Sequence, residues 1–556
     1  FNFELLTMQD NLSFIPLGGV GDVTKNMYLY EYQDQILIID CGLGFADQTM
    51  LGVDLLLPDI NYLAKRIKSS NVKIIGMILT HGHEDHMGAL PFILPYLPNF
   101  PIFATPLTAA LSNEKLKEFG VSRQVNTIAF GKNDLQLGAF RVSFIRVTHS
   151  VPDSSNIFIR TPVGNFYHAS DFKFDLTPYD GKKTDFAKIA SVSKEGIMCL
   201  MSDCLGAERE GHTPSERILS QSIEQEMKMC EGKFILTTYS SNISRLNQAI
   251  HAARKLRRKV CFVGRSITKV SKIAQKLGYM KLEKDMEVEV KDIKKFNDKE
   301  ILLLVAGSQG QENSALSRIV NNEHREIKIS PLDVIVFSAD PIPGNELSIN
   351  ALIDSIAKKG TRVVYSKVSD NFHVSGHASS EDLMLMMSLT NPKYVLPIGG
   401  TYSQMVAYKD LAGKQGLTDD NIALIENGQE VIFSKDKSFL GKKINLGNIY
   451  VDQISEEVIE HFVIRDRQQI SKEGVVIIMA EVSAASGQIV GKANVITRGL
   501  SHQEQAIINK KLTKELGSAL SRRLGRVADW GYVRKRIGEI AEDGIFKSIH
   551  RRPLVL

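Results

Sequence analysis

Short apolar runs separated by glycine and polar turns dominate the first 170 residues of the chain and predict strands. Residues 14–17, 26–32 and 36–40 follow one another across such turns, which predicts a β-meander. The run 72–79 is apolar and rich in β-branched residues, so we expect a buried strand there. The same patterns predict helices at 91–96 and 107–119 and strands at 142–147, 156–160 and 165–169.

From residue 232 the pattern changes to an alternation of strands and helices, which indicates a parallel α/β unit. Its apolar runs and the helical stretches between them are 233–238, 244–257, 259–263, 268–277, 300–305 and 333–337. After residue 442 the sequence predicts a connector, then strands at 474–483 and 487–497 and a helix at 503–524.

Four residues of metal-ligand type follow the predicted strand 72–79 in one loop: His81, His83, Asp85 and His86. They are too crowded for a single ion, so we expect His81 and His83 to face one metal and Asp85 and His86 to face a second. Nitrogen and oxygen ligands at this spacing suit zinc. A polar loop that happens to be rich in histidine is the alternative, but three of the thirteen histidines fall within this stretch.

Three further candidates lie at the ends of predicted strands. Asp40 ends the meander, where its carboxylate can hydrogen-bond a metal-binding histidine. His149 and Asp171 follow the strands 142–147 and 165–169. A lone residue of this kind is more often part of a turn, but the loop still needs one more nitrogen and one bridging carboxylate.

Composition narrows the class of protein without identifying a partner. The 556 residues allow about three domains of ordinary size. The 68 basic and 63 acidic residues give a net charge of +5, which permits an anionic partner but does not require one. Because the five cysteines are scattered and no apolar run could span a bilayer, we expect a reduced, cytoplasmic protein without a membrane segment or export signal.

The chain contains long, non-repetitive motifs between about residues 14 and 440, among them PLGGVGDVTKNMY, THGHEDHMGALP, VTHSVPDSSN, ASDFKFDLTP, GHTPSE, VGRS, GSQG, PIPGNE and HVSGHASSED. Together they resemble ribonuclease J, of the β-CASP group of metallo-β-lactamase-fold nucleases. The resemblance implies an α/β protein: a metallo-β-lactamase αββα sandwich in two parts, an inserted β-CASP parallel α/β domain, a linker and a small α+β C-terminal domain. We place the two parts of the sandwich at 1–215 and 370–442 and the inserted β-CASP domain at 216–369. The linker is placed at 443–470 and the C-terminal domain at 471–556.

The resemblance also implies roles for individual residues. His81, His83 and His149 would hold one zinc ion, Asp85 and His86 a second, and Asp171 would bridge the two, with Asp85 and Asp203 also in catalytic positions. A pocket for an RNA 5′-phosphate would use Ser241, Asn242, His373, Ser375 and His377, and His377 would also assist the leaving oxygen. Without the family, His373 and His377 could equally be surface histidines, and Asp203 an ordinary aspartate at a strand end.

One position departs from the family pattern. Where relatives have a further histidine ligand of the second metal, this chain has Gly399, and glycine offers no ligand atom. The second site would then be weakened, and manganese or magnesium are the alternatives to zinc there. The same change leaves open a weakly active or inactive paralogue that serves as an RNA-binding partner subunit.

The sequence as a whole therefore predicts a zinc-dependent ribonuclease acting on single-stranded RNA with a 5′-monophosphate, in the 5′→3′ direction, with endonucleolytic cuts as a second mode and a role in RNA maturation and decay. A homodimer or higher oligomer, or a paralogous subunit, is implied by the resemblance. A small-molecule hydrolase of the same fold is disfavoured by the insertion with its phosphate-pocket motifs. Basic stretches such as 254–259 could line an RNA path, although solvated helix faces are the commoner explanation.

Overall fold

The structure is a computed structural model that describes residues 11–46, 50–70, 72–342, 344–366, 372–435, 437–452, 457–485, 490–491, 493–520 and 530–556. The chain divides into two compact units, Phe1–Phe45 with Leu57–Asn448 and Ala46–Leu56 with Ile449–Leu556.

The strands up to residue 443 are β1 (Leu12–Gly18), β2 (Met27–Tyr32), β3 (Gln35–Ile39), β4 (Gly44–Phe45), β5 (Leu55–Leu57), β6 (Lys73–Leu79), β7 (Ile102–Ala104), β8 (Val125–Thr127), β9 (Leu135–Leu137), β10 (Phe140–Arg146), β11 (Ser155–Arg160), β12 (Asn165–Ala169), β13 (Cys199–Asp203), β14 (Phe234–Thr237), β15 (Lys259–Val263), β16 (Ile301–Val305), β17 (Val334–Phe337), β18 (Arg362–Val364), β19 (Tyr394–Ile398), β20 (Gln429–Phe433) and β21 (Ser438–Lys443). The helices are α1 (Asn61–Ser70), α2 (Glu84–Met87), α3 (Leu90–Ile93), α4 (Pro106–Glu118), α5 (Phe186–Ser193), α6 (Leu219–Met229), α7 (Ile243–Lys255), α8 (Arg265–Lys276), α9 (Ala315–Val320), α10 (Glu346–Ala357), α11 (Ser380–Thr390) and α12 (Tyr402–Lys414).

Two sheets face each other across one core in the first unit. The eight-stranded sheet has the order β21-β20-β1-β2-β3-β6-β7-β8, and the six-stranded sheet has the order β19-β13-β12-β11-β10-β9. Phe14 and Tyr30 of the first sheet belong to the same apolar cluster as Phe158 and Phe166 of the second. Helices α11 and α12 add residues to this cluster and α4 contacts β7 and β8, so helices flank the sheets as the predicted sandwich requires.

A third sheet, with the order β15-β16-β14-β17-β18, is parallel throughout. Parallel strands buried on both faces need continuous apolar runs, and the five residues Ile301–Val305 of β16 are all buried. The predicted alternation of strands and helices is confirmed here. The prediction missed β18, because only three residues form it and two of these are not buried.

The second unit contains β22 (Ile449–Asp452), β23 (Glu457–Ile459), β24 (Val475–Met479), β25 (Asn494–Arg498) and β26 (Leu554–Val555), with helices α13 (His461–Glu473), α14 (His502–Leu520) and α15 (Trp530–Ile549). The sheet β25-β24-β26 packs against α14 and α15 through Ile508, Leu512, Ala541 and Ile545. Parts of the predicted helix 503–524 and of the predicted strand 487–497, namely 521–524, 487–489 and 492, lie outside the described residues. The proposed linker 443–470 carries β22, β23 and most of α13, and the domain limits stay a proposal.

Candidate metal centre

The candidate site lies where strands of both sheets of the sandwich end. β3 and β6 are parallel neighbours, so their carboxyl ends bring Asp40 and the loop that begins at Thr80 to one edge. In the six-stranded sheet β10, β12, β13 and β19 run in one direction. His149, Asp171, Asp203 and Gly399 each lie at or just after the carboxyl end of one of these strands. Residues far apart in sequence thus meet at one place.

Three imidazoles form the first cluster. Nδ1 of His83 lies 3.0 Å from Nε2 of His81 and 3.1 Å from Nε2 of His149. Nitrogens bound tetrahedrally at about 2.0–2.1 Å from one zinc ion are separated by roughly 3.4 Å, so this spacing is close to that of a zinc site. The remaining ring nitrogen of His149, Nδ1, donates to the carbonyl of Gly376 at 2.7 Å, which fixes the orientation of the ring.

Burial disfavours a positive charge on the three imidazoles of the first cluster. Burial lowers the pKa of His83 to about 3 and places the pKa values of His81 and His149 well below the ordinary value. Neutral imidazoles present lone pairs and no competing proton. The residues present therefore fit a divalent cation of the zinc type.

Asp171 joins the first cluster to a second. Its Oδ2 atom lies 3.5 Å from Nε2 of His81 and 3.6 Å from Nε2 of His149, and also 3.4 Å from Nε2 of His86. Asp85, His86 and Asp171 can converge on one ion, as can His81, His83, His149 and Asp171. One carboxylate is thus within reach of two ions, as a bridging ligand must be.

The second cluster carries more charge than the first. Burial acts to lower the pKa of His86, but the carboxylates of Asp171, Asp85 and Asp40 outweigh it and raise the pKa well above its ordinary value. Burial raises the pKa of Asp85 to about 6. A cation that binds here competes with the second ring proton that the carboxylates favour on His86, whereas burial disfavours such a second proton on the imidazoles of the first cluster.

Asp40 supports the metal loop from behind. Its carboxylate accepts hydrogen bonds from the backbone N–H and the hydroxyl of Thr80, both at 2.8 Å, and from Nδ1 of His86 at 2.8 Å. The residue is fully buried and has a φ of +62°. The contact predicted for Asp40 with a ligand-type histidine is therefore present.

His377 and Asp203 lie beside Asp171. Nδ1 of His377 donates to Oδ2 of Asp203 at 2.8 Å, and Nε2 lies 3.8 Å from Oδ2 of Asp171. Burial acts to lower the pKa of His377, but Asp203 and Asp171 outweigh it and raise that pKa. The imidazole can therefore hold a proton at Nε2 next to the two clusters.

Several side chains of the predicted phosphate pocket already have hydrogen-bond or charge partners within the protein. Asn242 is buried and caps α7, since its Oδ1 accepts from the N–H of Arg245 at 3.0 Å, and Ser241 precedes it in the loop after β14. Nε2 of His373 lies 2.9 Å from Oδ2 of Asp340. The hydroxyl of Ser375 accepts from the N–H of His377 at 3.2 Å, which shapes the loop between them.

Gly399, which stands where the family pattern has a further histidine, lies next to the candidate metal ligands. A Cβ atom added there would lie 3.7 Å from Oδ1 of Asp203 and 3.9 Å from Oδ1 of Asp171, an ordinary contact. A side chain at this position would thus point toward Asp203 and Asp171, and glycine itself supplies no ligand atom there. Its φ of +66° is one that glycine adopts readily.

Sequence reasoning missed several residues that complete the site. Asn26 donates to the carbonyl of Asp85 at 3.0 Å, and Glu216 pairs with Lys173 and Arg245 in a buried cluster. The sequence shows the charged residues of this cluster in the motifs SDFKF, TPSE and SSNISR. No local pattern in these motifs indicates that their side chains meet in the folded protein. Of the basic stretch 254–259, Arg254 pairs with Glu283, and Arg258 is buried against backbone carbonyls.

The sandwich and its histidine-rich centre define a class before any relative is considered: a metal-dependent hydrolase of the metallo-β-lactamase superfamily, whose family model matches residues 20–206. Three further family models match: "Ribonuclease J, beta-CASP domain" at 231–356, "Zn-dependent metallo-hydrolase RNA specificity domain" at 362–423 and "Ribonuclease J C-terminal domain" at 462–556. The chain belongs to the ribonuclease J family. It is a metal-dependent ribonuclease that binds RNA and divalent metal.

Curated relatives support this assignment along most of the chain. Ribonuclease J2 of Bacillus subtilis is 33% identical over 550 residues, which cover 98% of each chain. Ribonuclease J 1 of Streptococcus pyogenes is 37% identical over 491 residues, covering 88% of this chain and 86% of the relative. A crystal structure of an Enterococcus faecalis protein of unknown function, 15% identical, shares the fold with a TM-score of 0.54 over 76% of this chain and all of its own.

The described residues contain no helix that is both long enough and apolar enough to cross a membrane. All five cysteines are buried and unpaired.

Proposed function

We propose that this protein is a zinc-dependent ribonuclease that removes nucleotides in the 5′→3′ direction from single-stranded RNA with a 5′-monophosphate, with endonucleolytic cuts as a second mode. The observation that carries the proposal is the convergence of two ligand clusters on Asp171, with the loop of His373, Ser375 and His377 beside them. RNA maturation and decay in the cytoplasm is the setting that we infer for this activity.

His81, His83 and His149 would hold one zinc ion, and Asp85 and His86 a second, with Asp171 shared. When bound, two such ions activate water for attack on phosphorus and neutralise charge on the phosphate oxygens. The second ion has fewer protein ligands because of Gly399, so manganese or magnesium are the alternatives there.

His377 is the group that we assign to the leaving oxygen. Its Nδ1 proton is held by Asp203, and its Nε2 atom faces Asp171. As water attacks phosphorus and the bond to the ribose 3′-oxygen breaks, Nε2–H would transfer its proton to that oxygen. The products are a nucleoside monophosphate and an RNA one nucleotide shorter, again with a 5′-phosphate.

The RNA end would be held by the amino terminus of α7 and by the facing loop. Ser241 and Asn242 lie at the start of this helix, where backbone N–H groups favour an anion. His373 and Ser375 would form the other wall. A 5′-monophosphate fits such a pocket, and a 5′-hydroxyl leaves its donors without an acceptor.

Gly399 favours a second candidate function, that of a weakly active or inactive subunit that binds RNA for a paralogous partner. The missing side chain would point at Asp171 and Asp203. Assembly as a homodimer or higher oligomer, or with such a partner, is part of the proposal, and light scattering of the purified protein measures it.

The test uses 3′-labelled and body-labelled single-stranded RNAs that differ only in a 5′-monophosphate or a 5′-hydroxyl. We expect mononucleotide release from the monophosphorylated RNA and cleavage at least about tenfold slower for the 5′-hydroxyl RNA, the loss of about 1.4 kcal/mol. His377→Ala should slow cleavage while RNA binding persists. Equal rates with internal fragments would contradict the exonuclease mode, and binding without any cleavage would favour the partner subunit.

A further inference from the structure

Three charged side chains lie together in the interior of the first unit, outside the metal centre. Lys173, Glu216 and Arg245 expose 1%, 4% and 0% of their side chains. Oε2 of Glu216 accepts from Nη2 of Arg245 at 2.8 Å, and Oε1 lies 3.4 Å from Nζ of Lys173. We call these three residues the buried triad.

Both cations of the buried triad hold backbone carbonyls of one loop. Nη1 of Arg245 donates to the carbonyl of Phe372 at 3.1 Å, and Nζ of Lys173 donates to the carbonyl of Ser375 at 3.0 Å. These two carbonyls flank His373. The hydroxyl of Ser338 also donates to the Phe372 carbonyl and accepts from Arg245.

The other ends of the triad are anchored in the two parts of the proposed active site. Lys173 follows Asp171, the shared ligand, by two residues. Arg245 lies in the first turn of α7, and its N–H donates to the cap residue Asn242. The loop that carries His373 and Ser375 is thus tied to the metal-ligand segment on one side and to the helix terminus on the other.

Stability alone gives a poor reason for this arrangement. Buried ion clusters are often no more stabilising than apolar residues of the same volume, because each charge loses its hydration. Here each of the two cations donates to a backbone carbonyl of the same short loop, Arg245 to Phe372 and Lys173 to Ser375. The geometry favours a positioning role.

We propose that the buried triad fixes the separation between the 5′-phosphate pocket and the metal ligands, and thereby makes the enzyme cut one nucleotide from the 5′ end. This inference rests on the proposed function. The triad residues are positioning residues, since none of them is placed against the RNA.

The test compares Arg245→Lys with Arg258→Lys. Lysine at position 245 keeps the charge but loses the fork that reaches Phe372 and Glu216 together. Arg258 is a matched control, since it is also buried and donates to the carbonyls of Gly232, Ile301, Met227 and Cys230, at the opposite end of the parallel sheet.

Two quantities are measured for each variant: the affinity for 5′-monophosphate and 5′-hydroxyl RNA in EDTA, and the length of the products with metal present. For Arg245→Lys we expect the preference for the monophosphate to fall about tenfold, as for the loss of one hydrogen bond to a charged group, and products longer than one nucleotide to appear. Arg258→Lys should lower thermal stability at least as much and change neither quantity.

Ser338→Ala keeps the proposal testable if Arg245→Lys does not fold, because it removes one contact to Phe372 and leaves every charge in place. We expect it to shift both quantities in the same direction by a smaller factor. Wild-type preference and mononucleotide products in the folded variants, or an equal shift in Arg258→Lys, would overturn the triad's role. A wild-type protein without any preference for the monophosphate would overturn the proposed function itself.

Discussion

The two ligand clusters differ in charge because their neighbours differ. His83 has a pKa of about 3, since burial acts on it with little compensation, whereas His86 faces the carboxylates of Asp40, Asp85 and Asp171 and has a raised pKa. The first cluster is therefore prepared for a cation, whereas a cation at the second competes with a ring proton that the carboxylates favour. We expect the first ion to bind more tightly than the second.

We expect Gly399 to increase this difference in affinity and a histidine at the same position to reduce it. Gly399→His places an imidazole in the direction of Asp171 and Asp203, where a Cβ atom meets no atom closer than 3.7 Å. We expect the affinity for the second ion to rise by about 10–100-fold, the range known for losses of supporting groups. Calorimetric titration of the metal-free protein with zinc or manganese measures it.

Gly399→Ala is the control for this substitution. It imposes the same backbone strain at a φ of +66° without supplying a ligand. A rise in affinity in both variants, or in neither, would contradict the assignment of position 399 to the second site.

Gly376 tests the first site, because the backbone approaches a ligand closely there. A Cβ atom at this position would lie 2.7 Å from Cε1 and 2.9 Å from Nδ1 of His149. Gly376→Ala should therefore displace the imidazole or break its bond to the Gly376 carbonyl, and lower the affinity of the first ion by at least about tenfold. Competition with a chelator measures the zinc affinity of this variant. An unchanged affinity would show that His149 is not held by this contact.

At the residue scale, the sequence identified candidate metal ligands in one loop because His81, His83, Asp85 and His86 lie within six consecutive residues. It could not predict the partners of Glu216, since Arg245 and Lys173 lie 29 and 43 residues away and each looks like an ordinary surface charge. Burial and pairing of charges depend on tertiary contacts. Those contacts leave no local pattern.

At the scale of elements, a group of hydrogen-bonded side chains at the start of α11 holds the loop that carries His377. Asp382 is buried and accepts from the N–H of Thr213 at 2.9 Å and from Nδ1 of His212 at 2.8 Å. The hydroxyl of Thr213 in turn donates to the carbonyl of His377 at 2.7 Å. This cluster joins the segment before α6 to the loop that carries His377.

The cluster should respond to pH through His212. Its hydrogen bond to Asp382 raises the pKa of His212, and Glu381 lies 3.0 Å from Nε2. Because the pKa is raised on folding, the stabilisation is fully present below the unfolded value near pH 6.5 and is lost as the pH rises through the folded pKa. The side chain is 58% exposed, so the effect should not exceed about 1 kcal/mol.

Urea unfolding of the wild type and of His212→Gln at pH 5.5 and pH 9 measures the effect. At pH 5.5 we expect the wild type to have a higher free energy of unfolding than His212→Gln. At pH 9 we expect this difference between the two proteins to disappear. A difference that is the same at both pH values would rule out the charged pair as its source.

Several elements with a continuous apolar run were predicted correctly, whereas very short strands at the edge of a sheet were missed. Ile301–Val305 is fully buried and apolar, so β16 was evident from the sequence. The three-residue strands Ile102–Ala104 and Val125–Thr127 have no such pattern and depend on pairing at the edge of the large sheet. Their formation is a tertiary effect.

At the scale of the whole molecule, the candidate centre collects strand ends from two sheets of the sandwich and a loop tied to the inserted α/β domain. Parallel strands deliver Asp171 and Asp203 to the same edge, and Arg245 of the insertion holds the loop beside them. The fold class followed from the motifs that resemble the family, whereas the contact between Arg245 and the loop at Phe372 required the structure.

We propose that this chain binds two metal ions through the two ligand clusters and cuts RNA with them. We would measure metal per chain by elemental analysis together with decay of a 5′-monophosphorylated single-stranded RNA, for the wild type and His83→Ala. We expect about two ions per chain at saturating zinc or manganese. We also expect His83→Ala to slow RNA decay by at least about a hundredfold, the low end for loss of an electrostatic catalyst. One ion or none, with RNA bound but uncut at every metal concentration, would contradict the proposal.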